Sequence, residues 1–465
     1  RRRQSPMKGP VADTSRNPHE KYVRMTTRPV GRLVTELAGP SIVSMLISGI
    51  YNLADTFFIG RINTQSVAAL GIVFSYMVLI QSVAIFFGQG SGNYISRALG
   101  RREVADAERM SAVGLISSVL TGVVLAVISF LLMRPILSML GSTETILPYA
   151  CDYFRFILLG TPFIMGTFTL NNQMRHQGNA LLSMIGIVSG AVLNIALDPI
   201  LIFGFGLGIR GAGMATAISQ AVGFLVILSM VGKRGTLPLR FSHFKPTWQR
   251  YRDIAAGGLP SLARQGLMSL SAICLNQMAS HYGDEAIAAF SVVSRIMMLA
   301  CAAMIGYGQG FQPVCGFNYG AGLYDRVRRA FWHSCAVSTV YCTLLALLGW
   351  IFAGPLVALF RADDPEVIRI GSEVLRYQCL TFPLCGFITL SNMYLQNIRK
   401  TIPAIIMASA RQGIFFLPAL FIGHSLLAFT GVELAQVFAD LGAFLFAIPL
   451  VLPALARMGY EPSAR

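Results

Sequence analysis

Apolar runs of about 20 residues recur along the whole chain, separated by short polar stretches rich in Gly, Pro, Arg and Lys. That length crosses the hydrocarbon core of a bilayer as an α-helix. Read between the charge and Gly/Pro breaks, the pattern predicts twelve helices. They fall near 36–59, 67–93, 110–133, 146–170, 180–203, 211–231, 254–279, 287–313, 331–354, 368–394, 403–424 and 433–456.

Composition agrees. The 465-residue chain is 54% hydrophobic and 12% charged, with a mean hydropathy of +0.61. A soluble chain of this length needs far more charge to cover its surface. The expected fold is therefore an all-α polytopic membrane protein.

Charge placement orients the spans. With the N-terminus inside, the inside segments hold 27 Lys and Arg and the outside loops hold 5. This asymmetry predicts an even span number with both ends in the cytoplasm. The net charge of +16 does not imply nucleic acid, because the basic residues lie between spans and not on one soluble face. Cys151, Cys274, Cys301, Cys315, Cys335, Cys342, Cys379 and Cys385 lie in or beside apolar runs without CxxC or Cys/His metal spacing, and read as small apolar filler. The first two dozen residues carry no apolar signal-peptide core and no assigned function, and translation is expected to start at Met7 or Met25.

A shift of 220 residues lays the chain over itself. Gly88-Gln89-Gly90 falls on Gly308-Gln309-Gly310, Gly100 on Gly320, Pro40-Ser41 on Pro260-Ser261, and Thr169-Leu170 on Thr389-Leu390. One constant offset for several motifs marks an internal repeat. The expected organisation is a basic cytoplasmic tail (1–35), an N-terminal lobe of six helices (36–231), a cytoplasmic linker (232–253), a C-terminal lobe of six helices (254–456) and a short tail (457–465). Six spans per half make both halves enter the membrane the same way. That relates them by a pseudo-two-fold axis along the membrane normal, an arrangement suited to alternating access. No P-loop, HExxH, GxSxG or Cys/His cluster is present, so neither intrinsic ATP drive nor enzymatic chemistry is expected.

Charges inside the spans mark the candidate chemistry, since each costs roughly 2.5–3.5 kcal/mol at a helix centre. Asp55 and Asp198 each lie about five residues below the outer end of an outward-running helix, roughly 7 Å at 1.5 Å per residue. Thr216 sits at the same level, and Asn194 lies one turn below Asp198 on the same face. Two close carboxylates stay ionised only around a cation; otherwise one takes a proton. The alternative is that each Asp caps a broken helix end, Asp198 preceding Pro199, or pairs with an Arg. The repeat puts Leu275 and Pro418 in place of the two acids. The C-terminal half instead carries Arg264, Arg295, Arg411 and Asp440, read mainly as a structural polar network in which Arg295, or else Arg411, pairs with Asp440. Pro40 either permits a bend in the first helix or starts it at its first turn. Asn52, one turn below Asp55, supports the site or faces the cavity.

The stretches SMLISGIYNLADTFFIG, GQGSGNYISRALG, LNIALDPILIFG and QGFQPVCGFNYGAG resemble the multidrug and toxic compound extrusion (MATE) family, closest to its MepA-like branch, over about 30–456. The resemblance implies efflux of varied, often cationic, drugs and dyes in exchange for Na⁺ or H⁺. It also implies a multi-pass plasma-membrane location and no cofactor beyond the coupling ion, and the chain is expected to act as a monomer. It places a cation site, with Na⁺ possible, on Asp55, Asn194, Asp198 and Thr216, and a helix bend on Pro40. Substrate-cavity residues fall at Tyr51 and Asn171, with Asn52 and Asn172 beside them. Some members carry acidic residues on the seventh and tenth helices; this chain has none in the middle of either. A flippase for lipid-linked sugars is the competing transport reading.

Overall fold

The computed structural model describes residues 18–233, 235–360 and 364–458. The first part of the expected basic tail (1–17), Arg234, Arg361 and the end of the C-terminal tail (459–465) lie outside the described residues. Every regular element is helical, with no strand among the described residues.

The first half comprises α2 (Val30–Gly60), α3 (Thr64–Gly100), α4 (Val104–Leu131), α6 (Leu147–His176), α7 (Ala180–Pro199) and α8 (Ile209–Ser229). The second comprises α9 (Trp248–Ser280), α10 (Asp284–Gly320), α11 (Tyr324–Ile351), α13 (Pro365–Asn397), α14 (Thr401–Ser409) continued by α15 (Phe416–Leu427), and α16 (Phe429–Arg457). Short helices α1 (Pro18–Thr27), α5 (Met133–Met139) and α12 (Ala353–Ala358) complete the set. Counting α14–α15 as one span gives twelve.

Ten of the twelve are long and apolar enough by composition alone to cross a membrane. The other two, α9 and α13, are 33 residues each but more polar. Helix α9 opens with Arg250, Arg252 and Asp253 and carries Arg264, while α13 carries Glu366, Arg369, Glu373 and Arg376 in its first turns. Side chains such as Leu131, Phe130, Leu426 and Leu445 stand exposed on the outside of the bundle. In water they would be a liability; against lipid tails they are at home.

The helices outrun the apolar runs that announced them. The expected 67–93 becomes Thr64–Gly100, because hydrogen bonding continues past the lipid-matched stretch into polar turns. Caps set several starts: Asn63 accepts from the Ser66 N–H, Thr247 from Arg250, and Asp364 from Glu366 and Val367. The repeat extends to these boundaries. Shifting Thr64–Gly100 by 220 lands on Asp284–Gly320, and shifting Val104–Leu131 lands on Tyr324–Ile351.

The two halves meet through α2 against α10 and α3 against α9 and α10. These contacts are tightest toward the face that carries the linker and α1. There a Cβ on Gly320 would stand 2.1 Å from the Arg97 carbonyl oxygen, and one on Gly258 would stand 2.3 Å from that of Phe86. Only glycine permits such backbone approach. Arg97 also donates to the Asn397 carbonyl at 2.8 Å, and Arg175 to Gln309 at 2.8 Å. Toward the opposite face the contacts thin: a Cβ on Gly49 would meet Leu299 at 3.7 Å, and one on Gly266 would meet nothing within 4 Å. The halves therefore form a cleft closed at the linker face and widening away from it.

Part of the expected N-terminal tail is ordered. Helix α1 lies across the closed end: Lys21 Nζ donates to the Gly235 carbonyl at 2.6 Å, and Asn318 Nδ2 donates to that of Met25 at 3.1 Å.

Candidate functional site

The seam between α7 and α8 is lined with small residues. A Cβ on Gly190 would lie 3.2 Å from the Ser219 carbonyl oxygen, and one on Gly223 would lie 3.1 Å from that of Gly186. Close approach there brings Asn194 and Asp198, one and two turns further along α7, against Thr216 on α8. Helix α2 packs on the same side of α7 and delivers Asp55.

The four side chains are between 0% and 6% exposed. Asn194 Nδ2 reaches Thr216 Oγ1 at 3.4 Å. With its amide turned over, Asn194 donates to Asp198 Oδ2 at 3.2 Å and accepts from the Thr216 N–H at 3.3 Å, which satisfies both ends of the amide. Tyr153 on α6 donates to Asp55 Oδ2 at 3.4 Å. Asp55 Oδ1 and Asp198 Oδ1 have no hydrogen-bond partner among the described residues.

Among the described residues no basic side chain pairs with these acids. Arg210 is taken by Asp152 at 2.9 Å, and Arg61 lies over the Phe57 ring at 4.5 Å. Asp55 and Asp198 lie on helices that pack against each other. A buried carboxylate without a counter-charge is expensive, a cost that a nearby cation or a bound proton relieves. Two carboxylates, an amide and a hydroxyl are hard oxygen donors. Among the described residues no group of three or more His, Cys, Asp or Glu forms a metal cage.

Of the expected cavity residues, Tyr51 is half-buried and faces Thr216 and Gln220. Asn52 is also half-buried, its amide donating to the Ser48 carbonyl at 2.9 Å. Asn171 and Asn172 are buried at the closed end. Asn171 donates to the Ser183 carbonyl at 2.9 Å, while Asn172 accepts from Gln89 at 3.0 Å and from Arg175. Gln89 also accepts from Gln312 at 3.2 Å and meets His176 at 3.1 Å. This network ties α3 and α6 to α10 across the two halves. Pro40 lies inside a helix that begins ten residues earlier and runs on to Gly60, so it does not start the first helix.

In the second half, of the two candidate partners of Asp440, Arg411 makes the pair and Arg295 does not. Arg411 Nε donates to Asp440 Oδ1 at 2.6 Å, with Gln436 on the same oxygen at 2.8 Å and Thr381 on Oδ2 at 3.1 Å. The cause is local: a π-helical turn, Ala410–Ile414, widens the helix at Arg411 and aims its guanidinium at α16. Arg295 instead shares the face of α10 that turns toward α2. Among the described residues neither Arg264 nor Arg295 makes a hydrogen bond or ion pair.

The sequence did not single out Tyr153 or the Gln89–Arg175–Gln309–Gln312 network. The coincidence of Gln89 and Gln309 in the repeat was the available signal for the network. Tyr153 left none, since its role depends on which face of α6 meets α2.

Comparison with known proteins bears on all of this. The MatE family model matches residues 40–200 and 260–422, once in each half. The chain is 30% identical over 406 residues to "Multidrug export protein MepA" of Staphylococcus haemolyticus, covering 86% of this chain and 88% of that one. Its fold is similar to a crystal structure of MATE in complex with MaL6 (TM-score 0.90, 24% identity, 95% and 100% coverage). It is also similar to an outward-facing MATE transporter of the MOP superfamily (TM-score 0.89, 24% identity, 95% and 99% coverage).

Proposed function

The chain belongs to the MatE family, and on that premise we propose that it is a cation-coupled multidrug efflux antiporter working by alternating access. The observation that carries the mechanism is the pair of buried, uncompensated carboxylates, Asp55 and Asp198, held with Asn194 and Thr216 in the first half only.

When a Na⁺ or H⁺ binds there, it removes the repulsion between the acids and draws α2 and α7 together. When it leaves, two bare carboxylates favour rearrangement of α2, where Pro40, having no backbone N–H, leaves one helix hydrogen bond unmade and permits a bend. Because α2 also packs on α10, movement of its outer part changes the wall of the cleft, and ion binding is thereby set against substrate binding. The linker face is cytoplasmic and the cleft opens outward; the concentration of Lys and Arg on the linker side supports this orientation. The membrane is the plasma membrane, and the substrates are small drugs or dyes, as the name of the staphylococcal relative suggests.

The test is dye efflux from proteoliposomes under an imposed Na⁺ gradient, and separately under an imposed pH gradient. Efflux driven by either gradient supports antiport and names the ion. Efflux that ignores both and requires ATP refutes the reading.

A further inference from the structure

Helical phase places two arginines on the cleft. On α10, Arg295 lies four residues before Leu299, which meets Gly49 of α2, and shares its face with Gly306 and Gly310, which pack on Ile42 and Ala38 of α2. Arg295 is one turn beyond the last of these contacts, and it is exposed. On α9, the face that packs on α3 through Ile254, Gly257 and Gly258 continues outward through Gln265, Ser269 and Asn276, which are part-exposed or exposed. This polar stripe adds to the charges of Arg250, Arg252, Asp253 and Arg264 in making α9 less apolar than its neighbours. Lipid would not tolerate it; a water-filled cleft does.

Arg264 borders that stripe next to Gln265 and is half-buried in mid-span, sixteen residues from the start of α9. Further along α9, Leu267 meets Gly413 and Ser271 donates to the Gln412 carbonyl. The buried carboxylates described in the second half are placed elsewhere: Asp440 pairs with Arg411, Asp253 with Arg399, and Glu433 sits near the start of α16. The second half therefore presents two uncompensated guanidinium groups to the cleft, facing a first half whose acids are turned inward toward α6, α7 and α8.

We infer that Arg264 and Arg295 form an anion-recognising wall, and that the cleft takes amphipathic compounds bearing a carboxylate, sulfonate or phosphate group, as organic anions or zwitterions. The inference rests on the transport reading for the purpose of the cleft, but the site itself is a matter of binding. Guanidinium groups suit such ligands because their planar forks match the oxygens of these anions in bidentate geometry. A partly desolvated cleft strengthens the pairing relative to water.

The experiment is equilibrium binding of a fluorescent aromatic carboxylic acid and of its primary amide to the purified full chain in detergent. The acid is expected to bind at least about ten-fold tighter than the amide, which corresponds to one good ion pair. The Arg264→Gln/Arg295→Gln double variant should lose that preference, while the Arg264→Lys/Arg295→Lys variant should keep most of it. Amide binding by the Gln variant shows that it has folded; if it binds neither probe, the single Gln variants decide. An acid that binds no tighter than the amide, or a preference that survives the Gln substitutions, overturns the inference. Absence of gradient-driven efflux would refute the antiporter reading and leave this binding result standing.

Discussion

Replacing Asp440 with leucine strips Arg411 of its counter-charge inside the second half. Asp440 is 2% exposed and accepts at short range from Arg411, Gln436 and Thr381. Removing one partner of a buried pair costs about 3–5 kcal/mol, because the other charge stays buried. The Arg411 side chain is 21% exposed and can recover some hydration, which places Asp440→Leu near the lower end, about 3 kcal/mol. Arg411→Leu strands the more deeply buried Asp440 and should cost more, about 5 kcal/mol. The double variant removes both charges and should return to within about 2 kcal/mol of the parent, since apolar replacement of a whole pair is often nearly neutral. The assay is equilibrium unfolding of the purified chain in detergent, followed by circular dichroism, as a double-mutant cycle. The reasoning fails if the double variant is as unstable as the worse single, or if Asp440→Leu leaves stability unchanged.

Gly320→Leu should force apart α3 and α10 at the linker face, costing about 1–3 kcal/mol as overpacking; faster thiol labelling of the buried Cys315 reads the opening. Tyr153→Phe removes the donor to Asp55 and should weaken the ion site by about 1 kcal/mol, seen as a roughly five-fold higher half-saturating ion concentration for transport, with coupling retained. Lys21 is pushed down to about 7, first by burial and then by the charge of Arg24. Its proton is bound more weakly when α1 is docked than when it is free, so docking is favoured fully above the ordinary lysine value near 10.5 and loses that support as pH falls through 7. A spin label at Val23→Cys should be less mobile at pH 9 than at pH 6, and the reverse order would contradict the assignment.

Much of the architecture could be read from apolar length and from the repeat, because lipid thickness and a duplicated fold each impose a period on the sequence. The acids proposed for the first-half site could be picked out because an acid in a span is costly enough to stand out, and depth along the helix groups such residues without knowledge of their contacts. Depth could not choose between Arg295 and Arg411 as the partner of Asp440. That choice depends on helix rotation and on a π-turn that no periodicity announces. Tyr153 was hidden for a related reason, since a tyrosine in an apolar run costs little and draws no notice. The polar network at the closed end depends on the crossing of helices from opposite halves, which lies beyond any single helix's pattern.

The central claim is that one ion switch, built on Asp55 and Asp198, drives export. It is tested most directly by uphill dye efflux from proteoliposomes containing Asp55→Asn or Asp198→Asn, under the gradient that drives the parent. The account predicts that each variant loses gradient-driven efflux to background while the purified protein still folds and binds the dye. Uphill efflux at the parent rate in either variant would contradict it.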